Sequence, residues 1–283
     1  MAQTSYNIKD LYEEINTINR YFGVDDTGNV VFSSEPIHKY CHYGNTTGKG
    51  NCSDYLEMAS SGVIYVLKTL KEKYNLEYDK LAEYAILWLR YKLNQKHPYY
   101  KTQLNEFYTN HIVKNKDYNE KIKDNDSDSM TYKEIIDTKK DLMDIKEMTK
   151  FSYPFKILLL LYDKNKKISG NCAHLDNAKK FADEFGKLNK DYNNIEGSSY
   201  NKMLYILSDD YNNLKNKCTD FPPLPKIKTT PNKLIPVLST FSVIPVFLGI
   251  AYKYSLFGVD KLFQRQYLKK KLKKVKKKLK LNI

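Results

Sequence analysis

LAEYAILWLRYKLN, residues Leu81–Asn94, carries apolar side chains on most faces of the helix it would form. A helix that is apolar nearly all round belongs inside a core. Glu77–Asn94 is therefore expected to cross the centre of a helical domain. The composition agrees with that expectation. The 283 residues include only 11 Gly and 9 Pro, and four of the prolines fall between Phe221 and Pro231. Long stretches thus run free of helix breakers, which argues for a mainly α fold over a sandwich or barrel.

Outward from that segment, apolar residues recur at helical spacing on both sides. Ile8, Leu11, Ile15, Ile18 and Phe22 predict a helix over Ser5–Phe22, and Leu56, Ala59, Val63, Leu67, Leu70 and Tyr74 predict another over Ser53–Tyr74. Gly23–Asn51 between them reads as loop. Tyr100–Lys114 reads as a shorter helix, and the Lys-, Asn-, Asp- and Ser-rich stretch 114–130 as a mobile loop. Thr131 followed by Glu134 fits a capping box that opens a helix running to about Lys150. Phe155–Asp163, Ser169–Tyr192 and Ser199–Cys218 complete a multi-helix domain, residues 1–220.

Beyond it, FPPLPKIKTTP (Phe221–Pro231) cannot be helical throughout and predicts a stiff, Pro-rich linker over 221–233. Leu234–Tyr252, LIPVLSTFSVIPVFLGIAY, then holds nineteen residues without a charge. As a helix it is about 28 Å long, close to the roughly 30 Å of a bilayer's hydrocarbon core. Flanking Lys233 and Lys253, and the basic end that follows, favour a transmembrane helix over a buried core helix. The expected span is 234–259, with a basic cytoplasmic tail at 260–283. No secretory leader opens the chain, so this internal span is expected to direct insertion.

Charge sharpens the topology. The net charge is +14, but eleven Lys or Arg and a single Asp lie between Asp260 and Ile283, so residues 1–233 carry only +3. That near-neutral domain, with Arg20, Arg90 and Arg265 as the chain's only arginines, argues against a nucleic-acid partner. The positive-inside rule keeps the tail cytoplasmic and puts the domain on the other side. Leu268, Leu272, Val275 and Leu279 would line one face of a basic helix. Lys269, Lys270, Lys271, Lys273, Lys274, Lys276, Lys277, Lys278 and Lys280 would then meet anionic inner-leaflet lipid.

Four cysteines allow three pairings. Cys41 with Cys52 would close the first irregular loop, and Cys172 with Cys218 would tie the start of one late helix to the end of the next; these two disulfides are the favoured set, on an oxidising side of the membrane. His38, Cys41, His42 and Cys52 lie close in sequence but fit no common zinc spacing, so no metal site is expected. GNTTGKG at Gly44–Gly50 falls one residue short of a phosphate loop and reads as a turn. Asn45, Asn51 and Asn125 sit in glycosylation sequons, a pattern frequent by chance. No catalytic constellation and no cofactor motif is recognisable.

Several segments together resemble one known family. They are GKGNC (Gly48–Cys52), LAEYAILWLRYKLN (Leu81–Asn94), DIKEMTKFSYPFK (Asp144–Lys156), Cys172–Phe181, and Ser208–Cys218 with the following FPPLP. Most specific is KLIPVLSTFSVIPVFLGIAYKYSLFG (Lys233–Gly258), followed by RQYLKKKLKKVKKK. The chain resembles the Plasmodium interspersed repeat (PIR) proteins, a variant multigene family of malaria parasites, most closely the rodent-parasite members. One departure is Gly62-Val63, where many members carry a further cysteine. The resemblance implies export to the infected red cell or display on parasite-derived membranes. It also implies antigenic variation, immune evasion and, for some members, adhesion to host molecules; separately, with no catalytic constellation, no enzymatic activity is expected.

The leading expectation is a single-pass variant surface antigen, met by a host surface protein or antibody on the loops Gly23–Asn51 and Lys114–Met130. The competing one is an internal trafficking or scaffold protein that acts through its basic tail.

Overall fold

A computed structural model of the chain describes residues 7–41, 50–95, 97–123, 128–163, 172, 174–228, 269 and 271–272. The chain divides into two compact units, Met1–Thr230 and Pro231–Ile283.

The first unit is helical. Helices α1 (Ile8–Asn19), α2 (Tyr55–Tyr74) and α3 (Tyr78–Leu93) follow the apolar spacing of the sequence closely. Each start has a local cause. Asn7 accepts the amide of Lys9, and Asp54 accepts that of Glu57, which satisfies donors that a helix start leaves open. Between α2 and α3 the chain turns at Asn75, whose φ of 46° is left-handed, a conformation that Asn tolerates better than most residues.

Helix α3 is the axis of the core. Trp88 and its neighbours Leu81, Ala85, Ile86, Leu87 and Leu89 are buried. Gly62 on α2 is there because Trp88 leaves no room for more: a Cβ at that position would overlap the indole ring. Two basic residues of α3 are buried as well, and both serve as tethers. The Arg90 guanidinium donates to the carbonyls of Thr102 (2.7 Å) and Tyr100 (3.3 Å), and burial pulls its pKa down to about 10. Lys92 donates to the carbonyls of Asn19 (2.8 Å) and Phe22 (2.7 Å), and its Nζ lies 4.0 Å from the Phe22 ring centre. Burial pulls Lys92 down to about 7, while these oxygens and the ring hold its ammonium in place.

After α3 the elements shorten. Helix α4 (Leu104–Phe107) runs into a wider π turn at Tyr108–Ile112 where a single helix over Tyr100–Lys114 was expected. The capping box at Thr131 and Glu134 forms, with both of its hydrogen bonds present. The helix it opens does not reach Lys150, however. It breaks into α5 (Tyr132–Asp137), α6 (Lys140–Met143) and a 3-10 turn at Met148–Phe151. Residues at the break take partners on other helices. Lys139 reaches Asp79 (3.0 Å) and Glu83 (3.1 Å) on α3, while Asp141 accepts from Ser199 (2.7 Å) and Lys202 (3.2 Å).

Helices α7 (Ser152–Leu161), α8 (Leu175–Asn189) and α9 (Ser199–Lys215) close the domain. At their junction sits Asp210, fully buried. Tyr12 of α1 (2.6 Å) and Tyr84 of α3 (2.9 Å) donate to its carboxyl group, and Tyr162, just past α7, donates to its carbonyl (2.7 Å). Four parts of the fold thus meet at one residue of α9.

The expected linker behaves differently from a free stalk. The compact unit extends to Thr230, past the expected boundary at 220. Phe221 is buried beside Tyr211, whose hydroxyl donates to the Pro222 carbonyl (2.9 Å). Farther on, three asparagines replace a neighbouring strand. Asn189 donates to the Lys226 carbonyl (2.8 Å) and accepts the Lys228 amide (2.9 Å); Asn194 donates to the Lys228 carbonyl (2.6 Å); Asn201 donates to Asn194 (2.8 Å). Residues 221–228 are a strap bound along α8 and α9.

Among the described residues no helix is long and apolar enough to cross a membrane. The expected span 234–259 lies outside the described residues, as do the tail lysines Lys270, Lys273, Lys274, Lys276, Lys277, Lys278 and Lys280. In the second unit, Lys269, Lys271 and Leu272 are helical and exposed.

Candidate recognition surface

The first loop expected to carry contacts contains regular structure. Strands β1 (Phe22–Val24) and β2 (Val30–Ser33) form an antiparallel hairpin. Its turn is held by Asp25, whose carboxylate accepts from the Thr27 amide, the Thr27 hydroxyl and the Asn29 amide at 2.6–3.0 Å. These bonds, the Thr27 hydroxyl first, hold the Asp25 carboxyl below its ordinary pKa. Gly28 takes φ 93°, where other residues are strained. The turn presents an apolar strand: Val31 is 58% exposed and Phe32 52%.

The chain then enters a 3-10 turn at Glu35–Tyr40 and reaches the first disulfide. Cys41 bonds Cys52, with Cα atoms 5.1 Å apart. His38 is engaged at both ring nitrogens: Nδ1 accepts the Cys52 amide (3.1 Å), and Nε2 lies 3.0 Å from the Ser33 hydroxyl. Among the described residues no group of His, Cys, Asp or Glu is placed to hold a metal. The other disulfide joins Cys172, just before α8, to Cys218, just after α9, with Cα atoms 5.3 Å apart.

The second loop is less open than its composition predicts. Tyr118 is fully buried and donates to the Ser60 carbonyl (2.8 Å) on α2. Asn115 is fully buried too, and its side chain donates to the Tyr40 carbonyl (2.8 Å). The Ile122 amide donates to the Met130 carbonyl (3.1 Å), which closes the loop into a hairpin-like turn; residues 124–127 lie outside the described residues. A polar composition predicted mobility, but two buried side chains, Asn115 and Tyr118, commit this loop to the domain.

Through Asn115 and Tyr40 the two loops meet over α2. Between them lies a cleft of about 440 Å³, lined by Lys39 and Tyr40 of the first loop, Lys68 and Glu72 of α2, and Glu120, Ile122, Lys123 and Tyr132 around the second. A row of rings leads from it to the hairpin root: Tyr132, Tyr40, Tyr65 and Tyr21, with successive centres 6.3, 5.1 and 5.7 Å apart. Burial, then Tyr40 and Tyr21, push the Tyr65 hydroxyl up to about 12, so Tyr65 stays neutral at physiological pH. Mixed charge around aromatic walls is the chemistry of a protein-binding patch. Sequence reasoning named both loops but missed Lys68, Glu72 and Tyr132. They sit on helices, and nothing in their spacing tells that the loops converge there.

The family model of the Plasmodium variant antigen protein Cir/Yir/Bir matches residues 12–253. Among solved structures, that of a Plasmodium PIR protein ectodomain is 33% identical; the match covers 79% of this chain and 99% of that one, with a TM-score of 0.60. No curated protein matches. Helical fold, two disulfides and a match over most of the length agree, and the chain belongs to the Plasmodium variant antigen family Cir/Yir/Bir, the PIR proteins.

Proposed function

We propose that this chain is a variant surface antigen that displays its helical domain on a membrane of the malaria-infected red cell. In this reading the run 234–259 spans the bilayer, the tail 260–283 stays cytoplasmic, and the domain meets host surface proteins or antibodies. The observation that carries it is the convergence of two irregular loops on one cleft, joined by a row of tyrosine rings to the hairpin whose strand Val30–Ser33 is exposed. Loop residues change at little cost to the core, so such a surface can vary in sequence while the fold persists. Immune evasion follows from that variation, and adhesion from the cleft and the apolar strand. The match to a variant antigen family that runs to residue 253, and so takes in most of the apolar run, supports the membrane part of the reading. Antibody against the domain should label intact infected cells; labelling only after permeabilisation would refute display.

A second reading rests on the tail. Nine lysines between Lys269 and Lys280, set around Leu272, Val275 and Leu279, suit a helix lying on anionic lipid. A chain that works inside the cell, as a trafficking or scaffold protein of parasite-derived membranes, would depend on them. Truncation of the tail should then relocate the protein; unchanged location would argue against this role.

A further inference from the structure

Among the described residues of the domain, Tyr192 is the most exposed large apolar side chain, at 78%. It stands in the loop between α8 and α9, and Ile195 in the same loop is exposed as well. The loop is well fixed. Asp191 accepts from Lys150 (2.8 Å) and from the Asn193 amide (2.9 Å), the Ile195 amide donates to the Asn193 carbonyl (2.8 Å), and Asn194 is buried. The ring is thus held out in water by the structure around it and not by slack in the chain. An exposed ring needs no explanation by itself, but the place of this one in the chain supplies a reason.

The strap fixes that place. Asn194 donates to the Lys228 carbonyl (2.6 Å), and Asn189, at the end of α8, accepts the Lys228 amide (2.9 Å). Lys228 is therefore bonded by residues on either side of Tyr192. Leu234, where the uncharged run begins, is only six residues farther along. Six residues of fully extended chain reach about 22 Å at most, and the headgroup layer of a bilayer takes up roughly 5–8 Å of that. With the run in a bilayer, so short a tether leaves little room for a folded protein under the loop. The side chains suit lipid headgroups instead. Lys190, Lys226 and Lys228 are exposed, against Glu196 as the exposed carboxylate of the loop, so ammonium groups are in excess where lipid phosphates would lie. A tyrosine sets an apolar ring with a polar tip at that boundary, where membrane-spanning proteins concentrate such residues.

Taking 234–259 as the membrane span of the proposed function, we propose that the loop between α8 and α9 rests on the bilayer surface. The Tyr192 ring lies at the headgroup boundary with Ile195 beside it, and Lys190, Lys226 and Lys228 meet lipid phosphates. Contact there holds the domain at one fixed tilt. The test places the full-length chain in vesicles of phosphatidylcholine with a minority of phosphatidylglycerol, with and without bromine on the acyl chains near the headgroup. Trp88 is the chain's only tryptophan and is buried, so the parent emission sets the baseline. Tyr192→Trp should add emission that brominated lipid quenches and that lies to the blue of an indole in water. Val31→Trp, on the exposed hairpin strand, should add emission that bromine leaves unchanged. Lys190→Glu, Lys226→Glu and Lys228→Glu, added together to Tyr192→Trp, should relieve most of the quenching. All these side chains are exposed, so the thermal midpoints should stay at the parent value. A chain that floats with the vesicles but shows no quenching in Tyr192→Trp, equal quenching in Tyr192→Trp and Val31→Trp, or quenching unchanged by the three charge reversals would overturn the docking and leave the span standing. A chain that does not float with the vesicles would refute the span, and the docking with it.

Discussion

Asp210 keeps a carboxyl group where no water reaches it, and the surroundings decide its proton. Burial raises its pKa from 3.8 to about 7, against the hydrogen bonds from Tyr12 and Tyr84 that favour the charged form. A carboxyl whose folded pKa lies above its unfolded one stabilises the fold fully below the unfolded value, and that contribution is lost as pH rises to the folded value. Between about pH 4 and pH 7 Asp210 therefore makes the domain less stable as pH increases. Asp210→Asn keeps two hydrogen-bonding atoms for the tyrosines and removes the titration. Melting curves across this window should fall less steeply with rising pH for the variant, the difference at pH 7 being on the order of a few kcal/mol. Equal slopes would mean that Asp210 holds no proton at pH 6. Gly62 offers a second test at the same scale. Alanine at a helix interior usually gains up to about 1 kcal/mol over glycine, but here its methyl group would overlap the Trp88 ring. Overpacking of this kind costs about 1–3 kcal/mol, so Gly62→Ala should lower stability in chemical denaturation.

At the scale of elements, some of the fold was legible because its causes are local. The apolar stripes of α1, α2, α8 and α9 lie within single helices, and the Thr131–Glu134 capping box needs only four consecutive residues. The rest depends on partners far along the chain. Where the helix expected from Thr131 to Lys150 breaks, Lys139 and Asp141 have partners at Asp79, Glu83, Ser199 and Lys202. The second loop is pinned by Tyr40 and Ser60, and the candidate cleft exists only once that has happened. Phe221–Lys228 read as a stalk since prolines forbid a helix, yet an extended chain still has carbonyls and amides that side chains can bind. Asn194 is the centre of that binding, with hydrogen bonds to Lys228, Asn189 and Asn201. Asn194→Ala would leave the buried Asn201 side-chain amide unmet, at roughly 1–3 kcal/mol, and release the exposed Lys228 carbonyl. Hydrogen exchange should then speed up at the Lys228 amide, which Asn189 protects, while amides in α2 and α3 keep the parent rates. Uniform acceleration throughout the domain would show that the strap is part of the global fold and not a separable element.

For the molecule as a whole, the question under the proposed topology is what holds the chain in a bilayer and what decides which way it faces. The two are separable in energy. Insertion belongs to the nineteen uncharged residues Leu234–Tyr252, since apolar side chains at the centre of a spanning helix favour lipid and a chain without charge there meets no large penalty. Orientation belongs to the difference in basic charge at the two ends. The domain before the span carries about +3 spread over 233 residues, whereas eleven Lys or Arg lie within the last 24. The rule that sets orientation counts Lys and Arg within roughly 15–20 residues of the span, and the tail supplies them. A chain ended after Val259 should accordingly remain in the membrane on alkaline carbonate extraction, with its orientation no longer fixed. In microsomes, protease should leave nearly all full-length domains protected within the lumen, but should digest a substantial share of the truncated ones. Loss of the truncated chain into the soluble fraction would mean that the lysines, and not the apolar run, provide the anchor. Full protection of the truncated chain would mean that the domain crosses irrespective of the charge behind it.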